Sequence, residues 1–405
     1  MEPKTKCLKT ELNNHIDTIV GGQGVFIFSV TNNISIDFTL YNKDKTDGIK
    51  AMITKDQVLL NRIGILAPYI DTNNKQGLSL LKGAYYWFSF DSHNQMLYVG
   101  IGEARIETAI YKHQFKFDLE RDDLRKDHKL FLESLVTIHT NNSIKPIRLL
   151  RDPITNSIPL LVRNSSDITM LDIASNRYMM KSNLSLTAQK LYDCIAGPNF
   201  ILDTDDFPDF SKAIESSIVN PEGWCYKKLL AKANEFNKDK PNFLATYLRI
   251  TLGQNNGESP GVPYVMEIWP GGHYSPIHNH AGAEAIIRVL HGSINVSLYP
   301  FLCNEEIKFA EANFEKGDIT WISPTLNQTH KLRNLNTDIC ITIQCYMYNN
   351  EDDSHYDYFD YIDSNNNILQ YEPDIDMDFI DFKKTMLNEW EKYKSNNKGF
   401  FSCLN

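Results

Sequence analysis

Residues 271–292, GGHYSPIHNHAGAEAIIRVLHG, decide how this chain is read. Gly272 is followed by His278, Asn279 and His280, and Gly292 closes the next apolar run. On a β-strand, residues i and i+2 point to the same side, so His278 and His280 aim two imidazoles into one interior, spaced to share a metal ion. Farther along, GDITWISPTLNQTHKLRN (317–334) supplies His330, which follows Gly317 and Pro324 and precedes Asn334. Two histidines from one strand and a third from a distant strand form a facial triad, leaving adjacent positions open for substrate and oxygen. An HxH pair alone is weak evidence; the surrounding glycines, Pro324, His330 and Asn334 in a β context make it specific.

Outward from this stretch the pattern is β. ATYLRITLG (245–253), YVMEIWPGG (264–272), AIIRVLHGSINVSLYP (285–300), DITWISP (318–324) and ICITIQCYMY (339–348) are short strands with Gly or Pro at their ends, the signature of a sandwich or barrel. A helical lead-in precedes them. LTAQKLYDCIAG (186–197) ends at a glycine, and in FPDFSKAIESSIV (207–219) Phe210, Ile214 and Ile218 share one helix face. Asn220-Pro221-Glu222 predicts a helix start, with Asn220 as cap and Pro221 at the first helical position. Beyond Asn349 an acidic stretch interleaved with Tyr and Phe is expected to pack partly on the body, followed by a helix over DFKKTMLNEWEKYK.

The N-terminal part also reads as β. GVFIFSVT (24–31) and the alternating run Ile34 to Tyr41 flank an Asn32-Asn33 turn. AYYWFSFD (84–91) and MLYVGIG (96–102) form a second hairpin, and IETAIYKHQFKF (106–117) closes a β-sandwich. FDLERDDLRKDHKLFLESL suits a helix or a solvated linker, and IRLLRDPITNSIPLLVR two short strands around a turn. The expected organisation is a sandwich over 1–118, a connecting segment over 119–185, a metal-binding β-barrel domain over 186–350 with its helical lead-in, and an acidic aromatic segment with a helix over 351–405.

Composition excludes several classes. The 405 residues are 42% hydrophobic and 23% charged, which supports packed cores and excludes wholesale disorder. With 41 Lys and Arg against 51 Asp and Glu, the net charge is −10, a poor match to a phosphate backbone, so no nucleic-acid partner is expected. No run approaches the roughly 18 apolar residues of a membrane span. The start lacks a secretory apolar core, and seven scattered cysteines without a CxxC pair argue against a disulfide framework or structural zinc. A cytoplasmic location is the expectation.

The HxH-to-His330 arrangement resembles the two motifs of the cupin superfamily, a small β-barrel holding a metal. HYSPIHNH, with TYLR upstream and HKLRN downstream, further resembles the cysteine dioxygenase family over about 186–350. That resemblance implies that His278, His280 and His330 hold Fe(2+), that Arg249 grips the substrate carboxylate, and that Tyr346 brings its hydroxyl to the site. Arginine suits that role because its planar fork matches a carboxylate. YYWFSFD followed by MLYVGIGE resembles the sandwich modules called farnesoic acid O-methyltransferase domains. No Gly-rich cofactor loop accompanies it, so a ligand of unassigned chemistry is the expectation for the sandwich.

The chain departs from the cysteine dioxygenase pattern at named positions. Ala285 stands where vertebrate-type members carry a cysteine crosslinked to the tyrosine, so no thioether to Tyr346 is expected. Gln344 replaces a histidine and Thr342 a serine. The expected activity is oxidation of L-cysteine or a close aminothiol by O₂ to the sulfinic acid. Two alternatives stand beside it. One is a four-ligand metal cupin that recruits Glu284 and acts on a non-thiol substrate. The other is a non-catalytic cupin for sensing or binding. His273 and His291 are expected to be structural, and Met266, Trp269 and Trp321 to be packing.

Overall fold

The computed structural model describes residues 5–8, 15–30, 35–63, 69–73, 84–115, 122–141, 143–236, 240–253, 264–280, 282–303, 308–326, 329–348, 359–363 and 365–401. The chain is mainly β and divides into two compact units, Met1–Ser157 and Ile158–Asn405.

The first unit is a sandwich of two six-stranded sheets. Gln23–Val30, Tyr85–Asp91 and Met96–Ile101 are consecutive in one sheet; Ser35–Asn42, Gly48–Thr54 and Val58–Ile63 are consecutive in the other. Alternation along the strands builds the core. Phe26 and Phe28 meet Phe38 of the opposite sheet at centroid distances of 5.7 and 5.5 Å, and Phe88 meets it at 5.1 Å. The hairpin at 85–101 forms as the sequence predicts. The runs flanking Asn32-Asn33 lie in different sheets, because their inward phenylalanines face each other across the core; the turn itself lies outside the described residues. The charged run that begins at Phe117 contains a helix, Asp122–Glu133. Leu135–Thr140 and Ile144–Leu150 then add one strand to each sheet, so the sandwich continues past residue 118.

The second unit pairs an eight-stranded with a six-stranded sheet. The larger runs through Ile319–Ile322, Ala283–His291, Cys340–Tyr348, Tyr264–Trp269 and Leu248–Gly253 in that spatial order. The smaller runs through Ala310–Glu315, Ser293–Leu298, His330–Arg333, Ile277–Asn279, Phe359–Ile362 and Ile368–Tyr371. The expected mainly β, cupin-type domain is built from these two facing sheets; no ladder among the described residues closes them into one barrel. Their shared core holds Trp269, Val289 and Cys340 from the larger sheet and Ile294, Phe314, Leu332 and Phe359 from the smaller.

Helices cover the outer face of the larger sheet. Leu186–Ile195 packs on Ile286, Ile343 and Cys345. Phe210–Val219, Trp224–Ala231 and Phe379–Phe401 pack on Leu248, Ile250, Met266 and Ile341. The helix predicted to start at Asn220 begins instead at Trp224, capped by Gly223. Asn220 closes a turn, its carbonyl accepting from Gly223 N at 2.8 Å and its side chain from Glu222 N at 3.1 Å. A Cβ at Gly223 would meet the Ser217 carbonyl oxygen at 2.2 Å, so the close approach of the preceding helix fixes the turn there. The acidic aromatic segment contributes the strands Phe359–Ile362 and Ile368–Tyr371, with Phe359, Tyr361 and Tyr371 buried. Among the described residues no helix is long and apolar enough to cross a membrane.

Candidate metal centre

The smaller sheet places the three histidines. His278 lies on the Ile277–Asn279 strand, His280 follows its end, and His330 opens the neighbouring strand as the direct partner of His278. Ligand-capable atoms of the three lie within 4.8 Å of one another, and all three side chains are buried. Ring centroids are separated by 4.4 Å (His278–His330), 5.0 Å (His278–His280) and 5.3 Å (His280–His330). Among the described residues this is the group of His, Cys, Asp or Glu close enough to share an ion.

The donor set fits a first-row divalent metal. His278 Nδ1 lies 3.0 Å from the Pro276 carbonyl oxygen, which can only accept, so Nδ1 carries the proton and Nε2 keeps its lone pair. Burial and the neighbouring imidazole of His330 hold His278 well below the usual histidine range. Burial, His278, His330 and Arg249 do the same to His280. Neutral, desolvated imidazoles suit a metal ion better than a proton.

The walls come from both sheets. Tyr346 lies 5.1 Å from the His280 ring, centroid to centroid. Phe359 covers His278 at 4.7 Å and His280 at 5.3 Å. Ala283, Ala285, Ile287 and Ile322 pack with Tyr346 as an apolar patch. Ala285 is the cross-strand partner of Tyr346, so a methyl group stands beside the tyrosine and no thioether can form from this position.

Behind Tyr346 runs a buried polar chain. The Tyr346 hydroxyl donates to Gln344 Oε1, and Gln344 Nε2 donates to Glu267 Oε2 at 2.5 Å. Glu267 Oε1 faces Arg249 Nε at 3.4 Å, and Arg249 Nη1 donates to the Pro373 carbonyl at 2.8 Å. Arg249 and Glu267 are direct partners on adjacent strands, both nearly inaccessible. Burial pushes the Glu267 carboxyl up to about 7, with Arg249 pulling it down. Arg249 N also donates to Asp376 Oδ2 at 2.7 Å, an oxygen that Lys232 Nζ approaches to 3.2 Å.

Glu284 lies elsewhere. Its strand alternates Ala283, Ala285 and Ile287 toward Tyr346 with Ile286 toward the helices, which puts Glu284 on the helix side. There its carboxylate accepts from Ser185 Oγ and, at 3.1 Å, from Ala188 N at the start of the Leu186–Ile195 helix. The alternative fourth ligand is therefore a helix cap. His273 is structural as expected, its Nδ1 donating to the Thr246 carbonyl at 2.8 Å. Trp269 packs in the inner core, Met266 and Trp321 under the helices.

Glu267 and Phe359 were not singled out by sequence. A lone carboxylate in the apolar run YVMEIW, at the parity of Trp269, is a signal that finds the first. Phe359 gives no comparable signal within an acidic stretch.

No family model matches the chain. Solved structures to which part of it is similar include cupin domains. The cupin domain of Schizosaccharomyces pombe Cnp3 shares 10% identity, with 26% of this chain and 67% of that one covered and a TM-score of 0.21. A cupin domain of an XRE family transcriptional regulator from Enterobacter cloacae shares 15%, covering 22% and 81%, at 0.18. An oxalate oxidase shares 17%, covering 25% of this chain and 50% of that one, at 0.20.

Proposed function

We propose that the second unit is a metal-binding cupin acting as an iron(II)-dependent thiol dioxygenase, oxidising L-cysteine or a close aminothiol to the sulfinic acid. The observation that carries this reading is the convergence of His278, His280 and His330 in one buried site. The resemblance of HYSPIHNH, TYLR and HKLRN to the cysteine dioxygenase family supplies the substrate class. The overall reaction adds both atoms of O₂ to the thiol sulfur; sulfur loses four electrons, dioxygen gains four, and no outside reductant is needed.

The three imidazoles would hold the ion, which when bound brings thiolate and dioxygen together and activates the oxygen. Phe359 and the Ala283, Ala285, Ile287 and Ile322 patch keep water from the site. Tyr346, whose one hydroxyl proton goes to Gln344, presents its phenol oxygen beside His280, where it can accept a hydrogen bond from substrate. Gln344 fixes the phenol but carries no titratable proton of its own.

The test is O₂ uptake by iron-loaded protein with a panel of thiols, together with assay of sulfinate. Thiol-dependent uptake with one sulfinate formed per O₂, lost in His280→Ala, is the expected result. Bound iron with no uptake for any thiol overturns the enzyme reading in favour of a binding protein.

A further inference from the structure

Resting on the thiol dioxygenase reading, the buried polar chain behind Tyr346 gives Glu267 a positioning role: we infer that Glu267 sets the direction of the hydrogen bond between Gln344 and Tyr346. Its carboxylate makes the phenol an acceptor toward the site; its protonated form lets the phenol donate there. Glu267 is the cross-strand partner of Thr342, and Thr342, Gln344 and Tyr346 follow at every second residue on one face of their strand. Gln344 Nε2 donates to Glu267 Oε2 at 2.5 Å and to Thr342 Oγ1 at 3.2 Å, and Gln344 Oε1 accepts from the Tyr346 hydroxyl. All four residues are buried, so the chain depends on its own partners.

The direction follows from which atoms carry protons. A carboxylate only accepts, and a primary amide has one donating and one accepting end. Ionised Glu267 therefore draws the Gln344 amide nitrogen, which turns the Gln344 carbonyl to Tyr346 and commits the phenol proton to it. When Glu267 takes up a proton, its hydroxyl can donate to Gln344 Oε1 after a half turn of the amide, and Thr342 Oγ1 can donate to the same oxygen. Gln344 Nε2 then donates to the phenol oxygen, and the Tyr346 proton is released toward the His280 side.

Both forms lie within reach near neutral pH. Burial favours the neutral acid and pushes the Glu267 carboxyl up to about 7, against the pull of Arg249 and Lys232. Arg249 Nε stands 3.4 Å away on one neighbouring strand; Gln344 and Thr342 face Glu267 from the other. The nearby Tyr247 hydroxyl stays protonated, since burial raises it well above the usual range.

The experiment is infrared spectroscopy of the metal-free full chain, with the phenol carbon of tyrosine isotope-labelled and the Tyr346 C–O band identified by its loss in Tyr346→Phe. Spectra are taken at pH values well below and well above the Glu267 titration, with folding checked by circular dichroism. The wild-type band is expected to shift between the two. In Glu267→Gln, which keeps the buried histidines but has no proton to take up, the band is expected to stay fixed. In Gln344→Met, which keeps Glu267 but breaks the link, it is also expected to stay fixed. A wild-type band that does not move overturns the inference, as does a shift that persists in either folded variant, since persistence in Gln344→Met means a through-space effect of charge. In the iron-loaded chain, the ratio of wild-type to Glu267→Gln kcat for sulfinate formation is expected to rise at least threefold from the low to the high pH; a flat ratio overturns the inference. The infrared shift with no sulfinate from any thiol keeps the role of Glu267 and removes the dioxygenase reading.

Discussion

His278 and His330 are direct cross-strand partners, although they come from separate segments of the sequence. The pairing makes the site a property of the sheet. His280 is brought in by the same short strand as His278, so a single ladder contact assembles all three donors. The strand Phe359–Ile362 then pairs along the other side of Ile277–Asn279 and lays Phe359 over the imidazoles.

Phe359 is buried against His278, His280 and Tyr371. Phe359→Ala leaves a cavity over the triad and is expected to cost about 3–5 kcal/mol, the range for deleting a buried phenyl ring. Urea denaturation of the metal-free protein measures it; a loss under about 1 kcal/mol contradicts the packing described.

The Tyr346 hydroxyl is held by Gln344 and lies beside His280. Tyr346→Phe is expected to leave iron content and fold unchanged while slowing sulfinate formation about tenfold, the scale of one hydrogen bond at the transition state. Unaltered turnover removes the phenol from the reaction.

Gly100 lies opposite Trp87 in the first unit, and a Cβ there would meet the indole ring at 2.0 Å. Trp87 is fully buried and cannot swing to solvent. Gly100→Ala is expected to destabilise by about 1–3 kcal/mol or more through overpacking, with iron binding by the folded protein unaffected. Thermal unfolding and metal analysis together check this; wild-type stability contradicts it.

Glu267 carries a pH signature. Its folded pKa, pushed up to about 7, exceeds the ordinary glutamate value. The folded state therefore binds a proton that the unfolded state releases, and this group's contribution to stability falls as pH rises from the unfolded pKa through about 7. His278 and His280, held low, contribute the opposite slope, so wild type must be compared with Glu267→Gln, in which they are retained. Across that window the wild-type unfolding free energy is expected to fall relative to the variant by up to about 1.4 kcal/mol per pH unit. Parallel curves contradict the assignment.

Much of this was legible in the sequence, for physical reasons that differ by element. The strands from Leu248 to Tyr348 and the triad were readable because strand parity and Gly or Pro punctuation are local. The Tyr85–Ile101 hairpin was readable for the same reason. The Asn32-Asn33 region misled because alternation shows that a strand has two faces and not which sheet it joins; Phe38 pairs across the core with Phe26 and Phe28. Asn220-Pro221 carried every local helix-start signal, yet packing against Ser217 moved the start to Trp224. The role of Glu284 depended on which face of its strand the Leu186–Ile195 helix covers, a tertiary fact.

The most direct measurement is the iron-to-protein ratio after anaerobic loading with iron(II) and removal of free metal. It should be made on wild type and on His278→Ala, His280→Ala and His330→Ala, with folding monitored by circular dichroism. The account predicts about one ion per wild-type chain and a small fraction of that in each folded variant, since losing one of three neutral donors leaves a weak pair. A wild-type chain that retains no iron, or variants that retain it fully, would contradict the metal centre on which the rest depends.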